Sequence, residues 1–222
     1  VRKLDEKYVE TGFRHGQTIT ACLVALSHGT NDAQKTMGII TLTLIAVGLQ
    51  PSGSGPQLWV IAVCGLAIAL GTYMGGWRVI RTLGKGLTEI ATPQGFAAEA
   101  SSATTILVSS HLGFALSTTQ VCSGSIIGSG LGKKGGAIDW KVAARMLIAW
   151  LVTFPAAGVI GAAACAVAKI NVWGTLAVAA IAVVAALIIF RLSRRNPVNA
   201  MNVNEGSEVK VNAKVATASA AA

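Results

Sequence analysis

From Trp173 to Phe190 the chain runs for eighteen residues without a charged side chain, and Arg191, Arg194 and Arg195 follow at once. Eighteen helical residues rise about 27 Å, close to the apolar thickness of a bilayer, and the arginines stop the run as cytoplasmic residues do. Leu58 to Gly76 is a second clean run, and Lys141 to Ala168 is a third, with Trp150, Thr153 and Pro155 inside it. Backbone polar groups at membrane depth must be satisfied within the segment that carries them, so such runs fold as helices. The expectation is an all-α membrane protein, a polytopic helical bundle in the lipid bilayer.

The remaining composition agrees. Of the 222 residues 53% are hydrophobic and 12% charged, with a mean hydropathy of +0.62, well outside soluble usage. A net charge of +9 would suit nucleic acid, but the basic residues gather between apolar runs, so no nucleic-acid partner is expected. Cys22, Cys64, Cys122 and Cys165 lie in apolar runs without metal-ligand spacing and read as packing residues. Neither a metal site nor a cofactor is expected. The chain begins with Val1, without a signal sequence, and reads as a fragment lacking its N-terminal portion.

Basic residues set the orientation. Arg78, Arg81 and Lys85, then Lys133, Lys134, Lys141 and Arg145, then the arginines after Phe190, all mark cytoplasmic loops. Three regions follow: a cytoplasmic loop or surface helix over 1–15, a membrane region over 16–190, and a basic stop with a disordered tail over 191–222. Both ends are expected to be cytoplasmic, in a multi-pass protein of the cytoplasmic membrane.

Two apolar regions are interrupted. Between Gly16 and Trp77 the formal charges are Asp32 and Lys35 alone, inside the polar stretch Ser27 to Gly38. Charge at membrane depth costs several kcal/mol and usually has a function. Gln17 to Leu26 and Met37 to Leu49 are each too short to span, so the reading is one discontinuous helix, broken near Gly29. The second interruption, Ser109 to Gln120, separates two half-length runs with basic residues on both outer sides, which predicts a re-entrant hairpin.

Broken helices expose N–H groups that favour anions and carbonyls that favour cations. Asp32 is the candidate for cation coupling, with Asn31 and Thr30 beside it. Ser117, Thr118 and Thr119 stand where an N-cap and an oxyanion site coincide, and with Asn31 they are the candidate anion ligands. Lys35, Glu99 and Gln34 are secondary candidates, Lys35 being equally suited to an ion pair with Asp32. His28 and His111 read as packing residues rather than ligands. Ser101, Ser102, Thr104 and Thr105 suit either a pathway lining or helix packing.

The stretch His28-Gly29-Thr30-Asn31-Asp32-Ala33-Gln34-Lys35-Thr36-Met37-Gly38 closely resembles the C-terminal signature H-G-A-N-D-V-Q-K-A-M-G of the inorganic phosphate transporter (PiT) family. Gly113 to Gln120 resembles that family's G-L-P-V-S-T-T-H, and Ala149 to Pro155 its W-x-x-T-x-P segment. The resemblance implies symport of inorganic phosphate with sodium or protons. It also implies two inverted-topology repeats, of which this chain is the C-terminal one and its partner repeat lies upstream. It implies that Asn31, Asp32 and Ser117 to Thr119 serve the phosphate and cation sites. Some family members carry phosphate as a neutral metal–phosphate complex and some relatives carry sulfate. Two residues depart from the pattern. Ala115 replaces a proline, implying a less rigid hairpin tip, and Gln120 replaces a histidine, removing a candidate proton carrier.

The expected function is phosphate:cation symport by alternating access, without enzymatic activity. A sulfate or other oxyanion permease is the alternative within the architecture. A membrane-embedded metal hydrolase using His28, Asp32 and His111 is the alternative from another class, disfavoured by the lack of a further ligand. A homo-oligomer is compatible with this reading.

Overall fold

A computed structural model describes residues 6–133, 136–194, 198 and 201–203, and these are helical with short connections. The tail expected to be disordered falls almost wholly outside them. The described residues divide into two compact units, one up to Ile138 and the other from Asp139 onwards.

In the first unit α1 (Glu6–Ala46) is one unbroken helix of 41 residues, about 60 Å long. The expected break at Gly29 does not occur. No proline lies between Glu6 and Ala46, and one interior glycine costs only about 1 kcal/mol. The hydroxyls of Ser27 and Thr30 donate to the carbonyls of Leu23 and Leu26, one turn back, at 2.5 and 2.8 Å. Asn31, Asp32 and Lys35 find partners on another element, described below, so the backbone need not open for them. Residues 6–15, expected to form a separate loop or surface helix, are the first turns of this helix.

A polar turn, in which Gln50 donates to Ser54 Oγ and the Gly55 carbonyl, leads to α2 (Leu58–Met74). This helix packs on α1 through the buried Val60 and Cys64 and exposes apolar side chains elsewhere. The short α3 (Trp77–Arg81) and a single π turn (Thr82–Gly86) follow.

Next come α4 (Thr92–His111) and α5 (Thr118–Gly132), packed as a hairpin. The two half-length apolar runs that flank the second interruption, Ala97 to Ser110 and Val121 to Leu131, fall within these helices. α4 is also the main partner of α1, through buried Ala98, Ala103 and Ile106. At its C-terminus the Phe114 N–H bonds the Ser109 carbonyl and the Gly113 N–H the Ser110 carbonyl, at 2.9 and 3.2 Å. This is a Schellman closure, and Gly113, at φ +80°, supplies the left-handed residue that it requires. Ser117 begins α5, its hydroxyl accepting from the Gln120 N–H. At the other end, Thr88 and Ile138 form an isolated antiparallel bridge, and the Thr88 hydroxyl donates to the Ala137 carbonyl at 2.8 Å. Gly130 admits Thr88 there, since a Cβ at Gly130 would come within 2.9 Å of the threonine hydroxyl.

The second unit is a helix pair, α6 (Trp140–Ala168) and α7 (Val172–Ser193). Asp139 caps α6 and Asn171 caps α7. Both helices are long and apolar enough to cross a membrane, and neither buries any of its apolar window against protein. Helices apolar all round belong in lipid. Trp150, Thr153 and Pro155 all lie on α6, where the Thr153 hydroxyl donates to the Trp150 carbonyl.

Candidate functional site

The polar face of α1 meets the hairpin tip. Asn31, 3% exposed, donates through Nδ2 to the Leu116 carbonyl at 2.9 Å and towards Asp32 Oδ1 at 3.2 Å, and accepts from Ser110 Oγ at 3.3 Å. Lys35 Nζ donates to the same two oxygens, Leu116 O at 2.6 Å and Asp32 Oδ1 at 2.9 Å. The other carboxylate oxygen, Asp32 Oδ2, lies 3.2 Å from His28 Nδ1 and accepts from the Thr118 hydroxyl at 3.4 Å. His28 Nδ1 is also 3.1 Å from Thr118 Oγ1. These contacts are mutually consistent when Nδ1 carries the proton.

The helix period explains the convergence. His28, Asp32 and Lys35 stand at i, i+4 and i+7 on one face, and Asn31 at i+3 adjoins it. The hairpin supplies what this face needs: a carbonyl left unpaired by the turn, Leu116 O, and the Thr118 hydroxyl in the first turn of α5. By helix geometry the N–H groups of Thr118 and Thr119 have no intrahelical acceptor, so α5 presents partial positive charge at the same place. A cleft of about 190 Å³ adjoins the cluster, lined by Asn31, Gln34, Lys35, Ser110 and the tip residues Gly113 to Ala115.

The structure therefore brings together Asn31, Asp32, Lys35 and Thr118, with Gln34 on the cleft. Others stand apart. Thr30 is exposed and its hydroxyl is spent on Leu26, so it does not join Asp32. Ser117 is exposed and caps α5, and Thr119 is exposed in the first turn. Glu99 accepts from the buried Thr20 hydroxyl at 2.7 Å, in a separate contact between α4 and α1. His111 is exposed at the end of α4. The ion pair between Asp32 and Lys35, to which the sequence made Lys35 equally suited, is present in this cluster.

Three members were not among the candidates for the transport site. His28 was read as a packing residue and stood beside Asp32 only in the metal-hydrolase alternative. Ser110 had no distinguishing mark. Leu116 contributes only its carbonyl, which no side-chain pattern reports. Ser101, Thr105 and Gln120 line a wider groove of about 450 Å³ between α4 and α5, whereas the hydroxyls of Ser102 and Thr104 bond back to their own helix. Among the described residues no group of three or more His, Cys, Asp or Glu side chains is placed to hold a metal.

Comparison with known proteins decides the family. Residues 2–161 match the sequence profile of the phosphate transporter family. The chain belongs to that family. It is 52% identical over 210 residues to a probable low-affinity inorganic phosphate transporter of Mycobacterium leprae, covering 93% of this chain and 51% of that protein. Its identity to a probable low-affinity inorganic phosphate transporter of Bacillus subtilis is 41% over 152 residues, covering 68% and 46% respectively. The chain thus spans about half the length of the curated relatives it matches. A solved structure described as the sodium-dependent phosphate transporter matches 69% of this chain and 39% of its own, at 30% identity and a TM-score of 0.60. The relatives are named as transporters and not as enzymes, and the phosphate transporter family together with α6 and α7 makes this a membrane protein.

Proposed function

We propose that this chain is the C-terminal half of an inorganic phosphate:cation symporter of the cytoplasmic membrane. In this reading α4 and α5 form a re-entrant hairpin, the partner repeat is inverted, and both ends of the chain are cytoplasmic. The observation that carries it is the junction of α1 and the hairpin tip, where Asp32 is bound to Lys35 and Thr118 beside a small cleft. A carboxylate, an amide, an ammonium group and the N-terminus of a helix suit joint recognition of a cation and an oxyanion. Among the described residues no arginine lines the cleft, and the cation there is the single ammonium of Lys35, which suits release of a bound anion.

Asp32 couples the co-transported cation, sodium or a proton. Asn31, Lys35 and the start of α5 hold phosphate from the cleft side, with Ser117, Thr118 and Thr119 contributing hydroxyls and N–H groups as the anion enters. Phosphate travels as the free ion or as a metal–phosphate complex. The test is radiolabelled phosphate uptake by the full-length protein in proteoliposomes under imposed sodium or proton gradients. Asp32→Asn is expected to abolish gradient-driven accumulation, and normal accumulation by that variant sinks the coupling role. Sulfate in excess is expected to leave phosphate uptake intact, and effective competition would favour a broader oxyanion permease.

A further inference from the structure

The cluster is filled to capacity in a particular way. Asp32 Oδ1 and the Leu116 carbonyl oxygen are the two kinds of oxygen that hard cations select, a carboxylate and a backbone carbonyl, brought together from two elements. Each oxygen has two lone pairs. On each, one is taken by Lys35 Nζ, at 2.9 and 2.6 Å, and the other by Asn31 Nδ2, at 3.2 and 2.9 Å. The remaining oxygen of Asp32 is met by Thr118 and His28. A sodium ion entering here must displace donors that the chain itself carries.

The ammonium group is also tethered. Lys35 sits one turn from Asp32 on the same helix, so its local concentration beside the carboxylate far exceeds that of a free ion. Resting on the symport reading above in its proton-coupled form, we propose that Lys35 is a built-in substitute for a sodium ion at this position, so that the cation coupled at Asp32 is a proton. It neutralises Asp32, holds the hairpin tip through Leu116 and faces the anion cleft, so phosphate binds in this half without sodium. Replacing Lys35 by an uncharged side chain vacates a carboxylate–carbonyl pair and creates a sodium requirement.

Wild type, Lys35→Gln and Lys35→Met are compared in the full-length protein. Initial phosphate uptake is measured in sodium and in choline at equal pH and ionic strength. The readout is the difference in sodium response between wild type and variant, so a sodium site elsewhere in the protein cancels. Sodium is expected to stimulate the variants about fivefold or more beyond wild type, the lower end of ordinary coupling between ligands. Should the variants transport poorly, thermal unfolding of the purified proteins supplies a second readout. Sodium, and not choline, should raise the Tm of Lys35→Met further than that of wild type. Equal sodium responses of wild type and both variants in uptake and unfolding overturn the inference. Absence of phosphate uptake by wild type under any gradient instead overturns symport, and the sodium titration of unfolding still judges Lys35.

Discussion

Asp32 and Glu99 are carboxylates on adjoining helices of one unit, and they are held in opposite ways. Asp32 is met by an ammonium group, an amide, an imidazole and a hydroxyl, drawn from its own helix and from the hairpin. For Glu99 the partner among the described residues is one hydroxyl, Thr20, across the α1–α4 contact. The first carboxylate has its counter-charge built in, and the second has none in place. A saturated cluster resists change and ties elements together, whereas a carboxylate with one donor keeps free lone pairs. The contrast divides the unit into a fixed junction and a contact with spare acceptor capacity.

Asp32→Ala should break this contrast with the largest effect. It strands Lys35, His28 and Thr118 together, so uptake is expected to fall below a tenth of wild type. Loss of hydrogen bonds to a charged group should cost about 1.5–3 kcal/mol, read as a lower midpoint of thermal unfolding in detergent. Asn31→Ala comes next, because it leaves Ser110 without its acceptor and halves the donors at Leu116. A loss of about 1–3 kcal/mol is expected for this buried amide, with the Lys35 ion pair retained.

The Glu99 contact should respond less. Thr20→Val removes its hydroxyl donor at nearly constant volume, with an expected loss of about 1 kcal/mol. A double-mutant cycle with Glu99→Gln should give a coupling of about 0.5 kcal/mol or more, since the residues touch. Zero coupling would show that Glu99 is held by something other than Thr20. Ser117→Ala should be mildest, about 0.5 kcal/mol, because its capping bond is long at 3.4 Å and solvent reaches it. A loss of stability from Ser117→Ala as large as that from Asn31→Ala would place the weight of the tip on its cap rather than on α1.

How much of this was legible depends on the kind of signal. Uninterrupted apolar runs stand out in hydropathy, so α2, α6 and α7 could be read to within three residues at either end. Pairing of α1 with the hairpin tip depends on a three-dimensional approach across some eighty residues of sequence, which no local pattern encodes. The supposed break at Gly29 shows the limit of a polarity argument. Polar residues in an apolar region were taken to open the backbone, whereas hydroxyls bonded back to their own helix and charged groups were satisfied by the tip. The hairpin tip illustrates the converse case. Ala115 lacks the ring that stiffens the related pattern, yet the Schellman closure at Gly113 and the bond from Ser109 Oγ to the Phe114 carbonyl at 3.0 Å hold the turn in its place.

The continuity of α1 has a mechanical consequence. A helix interrupted at its charged stretch absorbs a change in ligand state as a local bend, and its two arms move independently. An uninterrupted rod has no such joint. Displacement of Asp32 or Lys35 must be transmitted along the axis as tilt, roll or translation, reaching the turns near Tyr8 and those near Ala46 together. Labels at the two ends of this one strut would therefore report a single shared event rather than two.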